Sequence, residues 1–139
     1  MEQKKLAAIE KVIFLKSVDI FSHATIEALG RVAALTEDVH FEPRSTIYRQ
    51  GEPVDAIYLV LKGRVAIEEN GQVIRELGEK QAFGTVPALD RNPAIHTVKA
   101  IDPVYALKLN AQDFDDILSL DFELVRVVFR VLCQIIRAG

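Results

Sequence analysis

Apolar residues recur along this chain with two different periods, and the period changes twice. Leu6, Ile9, Ile13 and Phe14 fall at helical spacing. After a break at Ser17-Val18-Asp19 and the pair Ile20-Phe21, so do Ile26, Leu29, Val32, Ala33 and Leu35. The spacing predicts helices over about residues 4–35, with Ser22 or Thr25 capping the second. Gly30 weakens that helix by roughly 1 kcal/mol relative to Ala. Between about 38 and 109 the pattern becomes short β-rich runs: 39–41, 46–48, 56–61, 64–68, 73–77, 95–101 and 104–109. Gly51, Gly63, Gly71, Gly78 and Gly84 punctuate them. Val65, Ile67 and Val73 alternate with polar neighbours, which predicts strands with one solvated face. Asn70-Gly71 reads as a tight hairpin turn. Regular turn signals between short strands predict a sandwich, jelly roll or small barrel.

From Asn110 the helical period returns. Asn110 resembles an N-cap followed by the acidic Asp113, opening a short helix that carries Phe114, Ile117 and Leu118. Asp121 then caps a last helix running to about Arg137. On a wheel, Glu123, Arg126, Arg130, Gln134 and Arg137 occupy one arc of about 80°, and apolar residues fill roughly 240°. One face suffices for packing on the same domain. Phe122, Val125, Phe129, Leu132 and Ile136 also follow the alternating spacing of a helix pair. The expectation is a homodimer through this helix; the alternative is that the N-terminal helices of the same chain cover both faces.

Composition narrows the function classes. The chain has 139 residues, which fits one domain over 1–139, and half are hydrophobic, enough for a core. Seventeen basic against 20 acidic side chains give a net charge of −3, without the basic excess of a domain that grips a nucleic-acid backbone. The single cysteine, Cys133, excludes a disulfide framework or Cys-rich zinc site and fits a reducing compartment. The first residues lack the apolar run of a signal peptide, and no stretch reaches the roughly 18 apolar residues of a membrane span. These features lead us to expect a cytoplasmic protein without membrane insertion.

Catalytic and metal chemistry find little support. His23, His40 and His96 are far apart, with no ligand-spaced partner. Asp113, Asp115 and Asp116 cluster at a helix start, where they oppose the helix dipole favourably. Cys133 lies on the apolar arc of the last helix and reads as core. No Ser-His-Asp context and no G-x-G-x-x-G stands out. The expectation is a non-enzyme without metal or cofactor.

Ile20-Phe21, Ile47 to Val60, Gly63 with Val65, Gly78 through Phe83-Gly84, 94–100 and Phe114, in this order, resemble the cyclic-nucleotide-binding domain of catabolite activator transcription factors, regulatory subunits of cAMP-dependent protein kinase and cyclic-nucleotide-gated channels. Ile47 to Val60 is similar to its I-x-x-x-G-x-x-x-D-x-h-Y-h-h pattern, h being apolar. Gly63 with Val65 is similar to its G-x-V turn, and Gly78 through Phe83-Gly84 to its G-x-x-x-F-G. Ile20-Phe21 stands where that family enters its barrel, and 94–100 and Phe114 match the end of the pattern. The resemblance implies a mainly β fold with flanking helices, a double-stranded β-helix (jelly-roll) barrel over about 38–109. Helices at about 4–35 and 111–137 flank it.

The family's phosphate-binding cassette, F-G-E-h-A-h-x-x-x-x-P-R-[small]-[small]-T-V, resembles residues 83–98 without a gap. Three positions depart. The glutamate that takes the ribose 2′-hydroxyl falls on Thr85, and the arginine that forks onto the cyclic phosphate falls on Ala94. The alanine whose N–H points at the phosphate falls on Pro87, which has none. The short helix behind it is expected to keep a weak anion site with one donor fewer. The resemblance thus implies a degenerate ligand site of Phe83, Gly84, Thr85, Val86, Ala88, Ala94, His96 and Thr97. His96 is expected beside Ala94 on one strand face, contacting an anion or serving as a half-buried structural histidine. Arg91 is either a second anion contact or a solvated loop charge, and Thr97 faces the pocket or simply belongs to a strand.

Two functions are open: a regulatory or interaction module with cyclic-nucleotide binding weakened or lost, or a sensor of a cyclic nucleotide or other small molecule signalling through the C-terminal helices. With barrel and helices using nearly the whole length, an output partner protein is expected.

Overall fold

The computed structural model describes residues 6–138; positions 4 and 5, where the first helical zone was expected to begin, lie outside them. Helix α1 (Ala8–Lys16), a 3-10 turn (Asp19–Phe21) and helix α2 (Ile26–Leu35) precede strands β1 (Glu37–Phe41), β2 (Thr46–Tyr48), β3 (Ala56–Lys62), β4 (Val65–Glu69), β5 (Gln72–Leu77) and β6 (Ala82–Phe83). A short helix α3 (Thr85–Asp90) leads to β7 (Thr97–Ala100) and β8 (Val104–Asn110), then α4 (Ala111–Leu120) and α5 (Phe122–Ala138). The strands form two four-stranded antiparallel sheets, β1-β8-β3-β6 and β2-β7-β4-β5. This is the mainly β, helix-flanked jelly roll expected.

Two clusters of buried residues explain the layers. Val60, Val65, Ile67, Phe83, Val98, Ala100, Val104 and Ala106 come from both sheets and fill the space between them. Ile57 and Leu59 of β3 and Leu107 and Leu109 of β8 point the other way and meet Phe21, Leu29, Phe114 and Leu124 of the helices. Strands β3 and β8 are therefore covered on both faces, which is why β3 reads as an apolar run from Ala56 to Leu61 and β8 is broken by Lys108 alone before its end. Phe21 and Phe114 meet edge to face at 6.2 Å and lock the N-terminal turn to α4.

The caps follow the local sequence. Thr25 accepts from the Ala28 N–H, Asn110 from Gln112 and Asp121 from Leu124. Asn70 and Gly71 both adopt positive φ (51° and 83°), forming the expected hairpin turn.

Six apolar expectations fail, Ile26 and Leu35 at the two ends of α2 being exposed as well. Ile9 and Ile13 are exposed, because α1 packs through Leu15, with Val12 and Phe14 partly covered. The Lys11–Asp38 ion pair at 3.1 Å holds that rotation. Val73 is exposed on β5, an edge strand. Cys133 is exposed because α5 buries only its first half, through Leu124, Val127 and Val128, and runs past the core. Residues 94–96 are not strand: the Ala94 N–H donates to the Glu52 carbonyl and its own carbonyl accepts from Gly51, so a loop claims them instead of the ladder.

Candidate functional site

One row of side chains across the second sheet builds the site. The register sets Tyr48 of β2 opposite Val98 of β7, Val98 opposite Ile67 of β4, and Ile67 opposite Arg75 of β5. A two-residue turn at 70–71 would, without interruption, set Ile67 opposite Ile74. A bulge between Ile67 and Glu68 shifts the pairing by one residue and brings Arg75 onto the Ile67 row.

This row, the start of α3 and the segment before β7 enclose a cavity of about 250 Å³. Its wall is completed by Leu77, Ala82, Phe83, Gly84, Thr85, Val86, Pro87, Ile95 and His96, and by Ile135 from α5. Phe83 lies between two tyrosine rings, stacked on Tyr58 at 5.0 Å and tilted to Tyr48 at 6.1 Å. The wall is mostly apolar, with Arg75 and His96 its ionisable nitrogens and no carboxylate. Partial burial, and then the Arg75 charge, push the His96 pKa down, with Glu69 opposing weakly. Burial, and then Tyr58, raise that of Tyr48, which therefore stays a neutral phenol.

Of the expected site residues, Phe83, Gly84, Thr85, Val86 and His96 line this cavity. Ala88, Ala94 and Thr97 do not. Ala88 packs into the helix-side core, and its N–H is taken by the Gly84 carbonyl at 3.1 Å. Helix α3 is only six residues long, so little helix dipole stands behind the N–H groups at its start. Ala94 is buried in the loop contact with Gly51 and Glu52, so it and His96 do not share a strand face. The Thr97 hydroxyl accepts from the Gln50 N–H at 2.9 Å. Arg91 is engaged by Asp115 of α4 and does not border the cavity. Tyr48, Ile67, Arg75, Leu77, Ala82, Ile95, Val98 and Ile135 were missed. The two-residue strand period could have found Tyr48, Ile67 and Val98; Arg75 depends on the bulge.

A larger, more open cleft of about 810 Å³ lies at the β3–β4 turn, between Lys62, Arg64, Glu76, Glu79, Asp102 and Tyr105. Its charges are mixed, Arg64 is paired with Glu76, and no cassette residue borders it. The smaller cavity, enclosed by the cassette, is therefore the better candidate.

On α5, Phe122, Phe129 and Ile136 are exposed (63%, 61% and 77%), and Val125 is half-buried. Leu132, the fifth member of the expected seam, packs partly onto the chain's own core. Among the described residues, no group of three His, Cys, Asp or Glu side chains is placed to hold a metal, and no helix is long and apolar enough to cross a membrane.

Comparison with known proteins agrees with this architecture. The chain is 29% identical over 114 residues to a potassium channel of Oryza sativa, an alignment covering 78% of this chain and 13% of the channel. It spans 13–34% of the length of the curated relatives it matches. The sensor domain of the transcriptional regulator DNR from Pseudomonas aeruginosa superposes with a TM-score of 0.81 at 20% identity, covering 91% of this chain and 89% of that one. The regulatory subunit of a cAMP-independent protein kinase A from Trypanosoma brucei does so with a TM-score of 0.75 at 22% identity, covering 83% of this chain and 42% of that one. These two likenesses are of fold. A model of the cyclic nucleotide-binding domain matches residues 38–121, more than half of the chain, from the first sheet strand to the cap of α5, and the chain belongs to that family.

Proposed function

We propose that this chain is a non-enzymatic regulatory module in which family-typical cAMP or cGMP binding is weakened or lost, and whose output passes through α5 to a partner. The observation that carries the reading is the chemistry of the cassette. Thr85, Pro87 and Ala94 stand where the family places a carboxylate, an N–H donor and a guanidinium. Arg91, the nearest alternative cation in that loop, is held by Asp115. Hydrogen bonds to charged groups contribute on the order of 1.5–3 kcal/mol each. Losing two weakens binding by about 10²–10⁴-fold, at about 1.4 kcal/mol per tenfold. The relatives support a regulatory role with interchangeable outputs, since they include a channel, a transcriptional regulator and a kinase regulatory subunit. The last is described as cAMP-independent, so this fold has at least one relative that works without that ligand.

The partner surface in this reading is the exposed side of α5 around Phe122, Phe129 and Ile136, and a second copy of the chain is the first candidate. The acidic balance speaks against direct nucleic-acid binding, and the module is assigned to the cytoplasm. Titration calorimetry with cAMP and cGMP tests the loss. No saturable heat is expected at micromolar concentrations, and micromolar binding would overturn the reading.

One observation favours a second reading, a ligand sensor. Ile135 reaches the cavity from α5, so a molecule bound there would touch the output helix directly.

A further inference from the structure

We propose that the cavity takes a small organic oxyanion with an apolar body, its charge held between the guanidinium of Arg75 on β5 and the imidazole of His96 in the loop before β7. The inference rests on the sensor reading and names the ligand class that reading leaves open. It moves the cationic pole of the site from position 94, where Ala94 stands, to His96 two residues on and Arg75 on β5.

The bulge is the first support. It costs β5 one unpaired residue, Ile74, and in return sets a charged side chain on the row of Tyr48, Val98 and Ile67. Bulges of this kind re-aim side chains beside functional sites. Arg75 is exposed at the cavity rim, so its guanidinium is available to an incoming anion. Among the described residues Arg75 forms no ion pair, and no carboxylate lines the cavity. The family's own carboxylate is replaced by Thr85, which leaves the cavity with positive charge and no internal counter-ion.

The remaining walls define the body of the ligand. Tyr48 and Phe83 offer aromatic surfaces, and Leu77, Val98 and Ile135 aliphatic ones. Tyr48 keeps its proton and can donate to an oxygen. A volume of about 250 Å³ lies just below the range of roughly 300–1,000 Å³ for drug-sized ligands. One ring or a short chain carrying a carboxylate or phosphate fits that size.

His96 makes the binding pH-dependent. The charged and titratable groups acting on it are Arg75 from β5, Glu69 at the end of β4 and the neutral Tyr48 across the cavity. An anion placed between Arg75 and His96 offsets the repulsion and draws a proton onto the imidazole. Binding therefore strengthens as the pH falls toward about 6.

Benzoate and benzamide share a shape and differ in charge, so they separate the ligand class from mere cavity filling. The full chain, labelled with ¹⁵N, is titrated with benzoate, benzamide, phenyl phosphate and cAMP at about pH 6 and about pH 8, with amide shifts as the readout. With about nine non-hydrogen atoms, benzoate is expected to saturate at millimolar concentration. It should move Arg75, His96 and Ile135 and bind more weakly at the higher pH. Benzamide should bind about tenfold more weakly, and Arg75→Gln, an exposed position, should cost benzoate a similar factor. Benzamide binding as tightly as benzoate would overturn the oxyanion while leaving a sensor of neutral molecules. Unchanged benzoate affinity in Arg75→Gln, or no saturation by benzoate or phenyl phosphate, overturns the inference. If no probe shifts Ile135 at either pH, the sensor reading falls with it.

Discussion

Gly84 is the hinge on which the cassette is hung, and its replacement by alanine tests whether α3 is held as described. Its φ is +82°, and a Cβ there would lie 2.6 Å from the backbone oxygen of Ala56 on the central strand β3. Gly71 in the hairpin has nearly the same φ, +83°, but open space where a Cβ would be. Both alanine variants meet the left-handed penalty of about 1–2 kcal/mol. Only Gly84→Ala adds an overlap with a backbone atom, which cannot rotate aside. Overpacking of this kind costs about 1–3 kcal/mol, so the totals are about 1–2 kcal/mol for Gly71→Ala and about 2–5 for Gly84→Ala. At roughly 4 °C per kcal/mol for a domain of this size, the Tm values should fall by about 4–8 °C and about 8–20 °C. Thermal and urea unfolding followed by circular dichroism measure both, with a constant urea slope confirming that stability alone has changed. Equal shifts in the two variants would refute the close approach of Gly84 to β3.

Thr85→Glu, on the cavity wall, should raise cAMP affinity by about 10–10²-fold in calorimetry, Pro87 and Ala94 still withholding their contacts; no gain would refute the correspondence of this position to the family's glutamate. Because the folded-state pKa of His96 is lowered, the unfolded chain binds its proton first. The stability this neutral histidine contributes is complete above about pH 6.5 and declines as the pH falls below it, so the urea midpoint should drop less in His96→Gln than in the parent between about pH 7.5 and 5.5. Phe114→Ala empties a fully buried site against Phe21 and should cost about 3–5 kcal/mol, whereas Phe129→Asp, on an exposed position, should leave the urea midpoint nearly unchanged and lower the mass seen by light scattering. Ile135→Ala should leave stability within about 0.5 kcal/mol and reduce the effect of benzoate on the amide shifts of α5; an undiminished effect would show that α5 is not the reporter of the cavity.

Much of the fold could be read from residue order because local signals agreed with one another. Asn70-Gly71, Thr25, Asn110 and Asp121 each did what their side chains favour, and glycine spacing separated the strands. The rotation of α1 could not be read, since Ile9 and Ile13 form as good a stripe as Val12 and Leu15. The choice was made by Lys11 meeting Asp38 from another element. At the site, the cassette positions that touch the cavity through α3 were legible from a linear motif. The sheet wall was not. Arg75 enters it only through a one-residue slip between β4 and β5, and such a slip leaves no mark in hydrophobic periodicity. Arg91 shows the converse: a cation in the right stretch of sequence is drawn off by Asp115, 24 positions away.

The coupling proposed between cavity and output rests on how α5 is anchored. Leu124, Val127 and Val128 fix its first half to the core, and Val131 and Leu132 are the last residues packed against that core. Beyond them Ile135, 52% exposed, borders the cavity, while its neighbour Ile136, 77% exposed, faces solvent. Adjacent residues on a helix point about 100° apart, so a shift of the terminal turns that improves contact at Ile135 also re-aims Ile136. A ligand can shift α5 only by as much as it prefers one placement of Ile135 over another. An apolar body in the cavity supplies such a preference through contact area, whereas a charge held by Arg75 of β5 and His96 of the loop before β7 is anchored away from α5 and supplies none. On this reading the two parts of the ligand divide the work: the oxyanion gives affinity, and the apolar body gives the signal.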